Sequence, residues 1–236
     1  MNAQGSTEGI VIAIDGPSGS GKSSTSRGVA KARGLLYLDT GAMYRALTWW
    51  MLDQGVDVSD AAAVAAVVDR PVITMGTDPS GPTVAVDGRD VAVEIRGKDV
   101  TGNVSAVSAV PEARERLVRI QREIIAAARA ESDGIVVEGR DITTVVAPEA
   151  PVKLFLTASA EARATRRSKE VRTTDVAATQ ADLARRDALD SSRKVSPLTQ
   201  TADATELDTT GLDLDQVIAL VVGLADEVRS TVTAVE

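Results

Sequence analysis

The sequence predicts an α/β fold: a central parallel sheet flanked by helices, a small antiparallel β insertion and a short lid. Three observations point there. A short β-branched run that is apolar on both faces, at 10–14, reads as a central strand buried in a parallel sheet, and 135–138 and 152–157 read as further parallel strands. Helix-like stretches separate these runs, as βαβ units require. Between them, residues 71–97 change to brief strand-like pieces joined by tight turns.

Each element follows in chain order. After a polar lead over 1–8, Ile10 to Ile14 form the first strand, and Gly16 to Gly21 form a turn. Lys22 to Arg33 read as a helix closed by Gly34, and Leu35 to Asp39 as the second strand. Thr40 and Gly41 open a helix that runs to about Gln54, where Gly55 ends it. The pieces 72–75, 83–86 and 91–95, separated by turns at 78–82 and 87–90, predict three antiparallel strands. A long helix from about Pro111 to Ala130 follows, then the strands 135–138 and 152–157, then helices near 159–169, 176–190 and 213–231. No internal repeat or low-complexity linker interrupts the chain, so its 236 residues form one unit.

Composition removes whole classes of chemistry. Lys and Arg total 26 against 34 Asp and Glu, a net charge of −8, so a general nucleic-acid binder is disfavoured. The chain has no Cys and no His, which excludes a disulfide framework, a thiol nucleophile, a zinc finger and any imidazole base. Aromatic residues make up 2%, too few for a base-stacking platform. Carboxylates, Lys, Arg, hydroxyls, backbone amides and a hard metal remain. The N-terminus has no Lys or Arg before its short apolar run, unlike a secretory signal, and no stretch reaches the roughly 20 apolar residues of a membrane span. A reducing, cytoplasmic compartment is the expectation.

Gly16-Pro17-Ser18-Gly19-Ser20-Gly21-Lys22-Ser23 matches the phosphate-loop pattern G-x-x-x-x-G-K-[ST]. A buried strand precedes it and a helix begins at its end, so backbone amides and a positive helix terminus point at one place. Residues 16–24, Ser24 included, are therefore the candidate ATP-binding segment, with Lys22 reaching the β and γ phosphates and Ser23 holding Mg2+. The loop alone does not name a reaction. No N-K-x-D stretch is present to read guanine, and nothing resembles the coupled lobes of a motor. A small-molecule kinase needs cations facing an acceptor phosphate and a lid.

The arginines can supply these. Arg186, Asp190 and Arg193 are spaced four and three, on one helix face, and Arg163, Arg166 and Arg167 precede a polar stretch at 168–175 that suits a lid. A solvated helix with charge pairs is the alternative. Thr40, Gly41 and Arg45 put a hydroxyl, a helix N-terminus and a cation around one point, which suits a monophosphate or ordinary capping by Thr40. Glu138-Gly139-Arg140-Asp141 places charges just past a buried strand, at the usual ligand edge of a parallel sheet.

Together these stretches resemble the bacterial cytidylate kinases, a branch of the nucleoside monophosphate kinase family. The likeness rests on I-D-G-P-S-G-S-G-K-S at 14–23, L-D-T-G-A-M-Y-R at 38–45, E-I-R at 94–96, the surroundings of Ser105 and Arg114, E-G-R-D-I at 138–142 and R-D-A-L-D-S-S-R at 186–193. Pro197, Leu198, Ala202, Asp203 and Ala204 also fit, and the whole covers nearly the full chain.

The resemblance implies a P-loop kinase core near 9–39, 132–160 and 195–236, a monophosphate-binding region with the insertion near 40–131, and a lid with flanking helices near 161–194. It implies phosphoryl transfer from MgATP to CMP, with dCMP as a further acceptor, by a monomer. Ser105, Arg114 and Asp141 are then expected at cytosine, and Thr40, Arg45, Arg140, Arg186, Asp190 and Arg193 around ribose and phosphate. Arg96 joins the acceptor set through E-I-R, and Lys22, Arg140, Asp141 and Arg186 are the expected catalytic group. Two positions depart from the pattern: Glu138 stands where Asp is expected, and Thr144 where Gly is usual. Other P-loop kinases, such as those acting on shikimate or dephospho-coenzyme A, have no reason to carry the insertion beside E-I-R. A regulator that merely binds nucleotide has no need of the cluster at 186–193.

Overall fold

A computed structural model describes residues 8–171 and 173–233. In chain order the strands are β1 (Ile10–Asp15), β2 (Leu36–Asp39), β3 (Ile73–Met75), β4 (Val84–Val86), β5 (Arg89–Asp90), β6 (Gly134–Gly139), β7 (Val152–Thr157) and β8 (Thr205–Asp208). The helices are α1 (Lys22–Arg33), α2 (Thr40–Asp53), α3 (Ala61–Ala65), α4 (Lys98–Val107), α5 (Pro111–Glu131), α6 (Ala160–Glu170), α7 (Val176–Ser191) and α8 (Leu214–Thr233). Five strands make one parallel sheet in the order β2-β6-β1-β7-β8. The other three form the antiparallel insertion β3-β4-β5.

Helical layers on both faces explain why Ile10–Ile14 of β1 and Ile135–Val137 of β6 are apolar on both sides. Ile12, Ile14, Val136 and Leu154 face α1 and α8, whereas Val11, Ala13, Ile135 and Val137 face the opposite layer, built from α2, α5 and the insertion. Register then delivers the chemistry. Asp15 lies beside Gly139, and Asp39 beside Glu138, so three carboxylates arrive together at the C-terminal edge of the sheet.

The connections differ in places from the sequence expectation. The third antiparallel strand is not at 91–95 as expected but at Arg89–Asp90, inside the expected turn, because the Asp90 carboxylate accepts the Ala92 amide and turns the chain there. Val91 and Ile95 are buried four residues apart, a helical spacing, and Glu94–Arg96 form a 3-10 turn. Helices α3 and α4 and the edge strand β8 are additional. The stretch proposed as a lid narrows to 171–175, with residue 172 outside the described residues, because α6 extends to Glu170.

The insertion touches both sides of the cleft. Its strands pack on α2, while Arg27 of α1 donates to the Pro79 carbonyl at 3.1 Å. The Tyr37 amide donates to the Thr77 carbonyl at 2.9 Å, which covers the free edge of β2. The turn at 78–82 thus rests on the helix that follows the phosphate loop.

One buried arginine ties the segment before β3 to α5. Arg116 is 9% exposed and donates to the carbonyls of Val68 and Pro71, which have no strand or helix partner on that side. Arg116→Met strands both acceptors and is expected to lower unfolding stability by about 2 to 4 kcal/mol, read as a shifted urea midpoint at constant slope. An unchanged midpoint would show that water satisfies these carbonyls.

Candidate active site

The loop after β1 takes its shape from glycine. Gly16, Gly19 and Gly21 have φ of 150°, 77° and 92°, and a Cβ on Gly16 would lie 2.0 Å from the Leu156 carbonyl. Helix α1 starts at Lys22 with no side-chain cap, so its first amides remain free for a ligand. Lys22 is buried, and its Nζ donates to the Pro17 carbonyl at 2.8 Å. Burial, reinforced by the nearby Arg140 charge, lowers the ammonium to about 7.

Neighbouring elements grip the loop at three peptides. Ser18 has all its polar groups engaged: its amide donates to Asp187 at 2.9 Å, its carbonyl accepts from Arg163 at 3.0 Å, and its hydroxyl accepts from Arg140 at 2.7 Å. The Gly16 carbonyl takes a second bond from Arg140, at 2.9 Å. The Ser20 carbonyl accepts from Thr209, which Arg166 holds at 2.8 Å and, through its carbonyl, at 2.6 Å.

A buried carboxylate stands beside the loop. Glu138 accepts from Ser23 at 3.0 Å on one oxygen and from the Tyr37 hydroxyl on the other. Burial, with Asp39 nearby, pushes Glu138 above its usual range. Asp15 is fully buried, raised by that burial, and accepts the amides of Ile142 and Thr143 at 2.9 and 2.8 Å. Those two bonds and the Thr143 hydroxyl at 2.8 Å fix the π-helical turn Ile142–Val146 directly after Asp141. The unexpected Thr144 sits in this turn, its hydroxyl 3.3 Å from the Asp141 carbonyl.

Across the cleft, carboxylates hold cations. Arg114 and Asp141 form an ion pair with side-chain exposures of 3% and 6%. The Tyr44 ring lies 5.5 Å from the Arg114 guanidinium carbon, and the Ser108 carbonyl accepts from Arg114 at 3.2 Å. Asp190 binds Arg140 at 2.8 Å and pairs with Arg193; burial pushes Asp190 up, but the two arginines outweigh it and hold the carboxyl below its usual range. Asp39 caps α2 through the Ala42 amide at 2.8 Å and pairs with Arg45 at 2.8 Å. Capping therefore falls to Asp39, while the Thr40 hydroxyl donates to the Glu138 carbonyl at 2.7 Å. The buried Nε atoms of Arg45, Arg114, Arg186 and Arg193, and that of Arg163 outside the cleft, have no protein acceptor.

One cleft of about 710 Å3 collects most of the expected site residues. Ser18 to Ser24 of the glycine-rich loop line one end, and Thr40, Arg45, Ser105, Arg114, Arg140, Asp141, Arg186, Asp190 and Arg193 line the rest. Gly16 and Pro17 shape the loop from behind. Arg186 pairs with Asp182 at 2.6 Å, and Arg96, 61% exposed, faces Glu170 of α6 at 3.5 Å across the mouth. Arg163 is not a lid cation: it is spent on Ser18 and Asp187. Sequence reasoning passed over Asp15, Tyr37, Asp187 and Thr209. Asp187 lies inside R-D-A-L-D-S-S-R, so the motif carried a signal, but its contact spans 169 residues.

A phosphate loop that shares one cleft with an arginine-lined acceptor end defines a P-loop kinase. The model of the family described as cytidylate kinase matches residues 12–227, and the chain belongs to that family. The cytidylate kinase of Streptomyces avermitilis is 58% identical over 221 residues, 94% of each chain. That of Nocardia farcinica is 56% identical over 213 residues, 89% of this chain and 90% of the relative. A solved structure of an uncharacterized protein from Eubacterium ventriosum is similar in fold alone, with a TM-score of 0.50 and 13% identity over 92% of this chain and 98% of the other.

The depressed Lys22 ammonium has a measurable consequence. A phosphate beside Nζ favours the charged form, so triphosphate binding above the empty-site value draws a proton onto Lys22. With magnesium left out, calorimetry in buffers of different ionisation heat at about pH 8 is expected to show proton uptake, with affinity falling by up to about tenfold per pH unit above 7. Binding with no proton uptake at that pH would contradict a buried neutral lysine.

Proposed function

We propose that this chain transfers the γ-phosphoryl group of ATP to CMP, giving CDP and ADP. The observation that carries the reading is the buried Arg114–Asp141 pair at the acceptor end, where Arg114 keeps an unspent Nε donor. Cytosine offers an amino donor and an unprotonated ring nitrogen. Asp141 accepts from the first and Arg114 donates to the second, with Ser105 of α4 beside them. Uracil reverses both polarities and leaves buried charges unmatched. The acceptor phosphate goes to Arg45, Arg186 and Arg193, and the 2′-hydroxyl region to Asp190, in the cleft that also carries dCMP.

No general base is required. The monophosphate oxygen is ionised near neutral pH, attacks the γ-phosphorus in line, and the bond to the β,γ-bridging oxygen breaks as ADP leaves. Lys22 and the free amides of the loop hold the donor phosphates, while Arg140 and Arg186 offset charge as it spreads. Ser23 and Glu138 fit a Mg2+ site: their oxygens lie 3.0 Å apart beside the loop, the donor type a hard cation takes. Mg2+ bound there neutralises phosphate charge. Among the described residues no helix is long and apolar enough to cross a membrane.

Steady-state kinetics with CMP and UMP as acceptors test the reading. The wild-type enzyme is expected to prefer CMP in kcat/KM, and folded Arg114→Met to lose about 10- to 150-fold with CMP and less with UMP. Equal losses with both acceptors would remove the base-reading role and leave Arg114 as a brace for α5.

A further inference from the structure

Helix α7 touches both halves of the cleft. Asp190 binds Arg140 and Arg193 at the acceptor end. Three residues earlier on the same helix, Asp187 accepts the Ser18 amide of the phosphate loop at 2.9 Å. The Arg163 guanidinium of α6 closes the arrangement, pairing with Asp187 and donating to the Ser18 carbonyl at 3.0 Å. Neither side chain lines the cleft, and Asp187 is 17% exposed. The loop is also packed against this pair: a Cβ on Gly19 would meet the Arg163 carbonyl at 3.0 Å and the Leu183 side chain at 3.3 Å.

We infer that Asp187 is a positioning residue that sets the Ser18 peptide of the phosphate loop and couples it to the acceptor face of α7. The inference rests on the reading that the loop takes the triphosphate and α7 faces the acceptor. A flexible, glycine-rich loop gains affinity when its amides are fixed before the phosphates arrive. A carboxylate on a backbone amide supplies that, and Arg163 holds the carboxylate in place. The Arg140 guanidinium joins Ser18 to Asp190, so loop and acceptor cluster share a second link through α7. A nucleotide that engages Asp190, Arg193 and Arg140 therefore moves or stiffens the support of the loop.

The test compares Asp187→Ala and Asp187→Asn with wild type by calorimetry, using a non-hydrolysable ATP analogue and CMP, each alone and together. In wild type, CMP is expected to tighten the analogue. Asp187→Ala is expected to weaken the analogue alone about tenfold or more, leave CMP alone within about twofold, and abolish the tightening. The amide oxygen of Asp187→Asn still accepts the Ser18 N–H, so this variant is expected to recover most of the lost affinity. A role limited to stability would lower the melting temperature and weaken both ligands alike, and would overturn the inference. So would unchanged analogue affinity in Asp187→Ala, or a wild-type enzyme in which CMP leaves the analogue unaffected. If Asp187→Ala does not fold, Arg163→Met carries the same expectations. Wild-type protein that binds neither nucleotide refutes the kinase reading itself, separately from Asp187.

Discussion

Carboxylates, Asp141 and Asp190 buried and Asp39 half-buried among them, hold most arginines of this cleft in place before any nucleotide arrives, and the site depends on that pairing. Guanidinium groups gathered for phosphate would repel one another and disorder the loops that carry them. Asp39, Asp141 and Asp190 each take a cleft arginine and Asp187 takes Arg163 just outside it, and of these the Arg114–Asp141 and Arg193–Asp190 pairs are buried on both sides. Removing one partner of such a buried pair costs about 3 to 5 kcal/mol, whereas exposed pairs such as Arg89–Glu94 are worth under about 1 kcal/mol. The network is therefore a positional device inside the cleft and a decoration outside it.

Pairing leaves donors in reserve. Most cleft arginines use one or two of their five N–H groups within the protein, Arg140 three, and the buried Nε atoms of Arg45, Arg114, Arg186 and Arg193 have no protein acceptor. Asp15 contributes differently. It spends its carboxylate on the amides of residues 142 and 143, so that Arg140 and Asp141 leave β6 along one fixed path. The Glu138 side chain, longer than the aspartate expected there, is steadied on both oxygens by Ser23 and Tyr37.

Much of this was legible in the sequence because local rules operate there. Apolar runs marked β1, β2, β6 and β7, and the glycine pattern marked the phosphate loop with its helix. β8 was not visible, since Thr205–Asp208 is a polar edge strand with only Leu207 facing the core side. α4 was hidden by Gly102, Thr101 and Val104, weak helix formers whose helix is held by burial of Val100 and Val107. Arg163 illustrates the remaining gap: its charge and helix position were readable, but its partner Asp187 and target Ser18 are set by tertiary packing alone.

The central claim is that one cleft holds a triphosphate on the glycine loop and reads cytosine with the Arg114–Asp141 pair. A crystal structure of the enzyme with CMP and a non-hydrolysable ATP analogue tests it most directly. The account predicts the analogue's phosphates on the amides of residues 19–23, and the cytosine amino group and ring nitrogen on Asp141 and Arg114. A cytosine ring bound away from that pair, with Arg114 and Asp141 still joined only to each other, would contradict it.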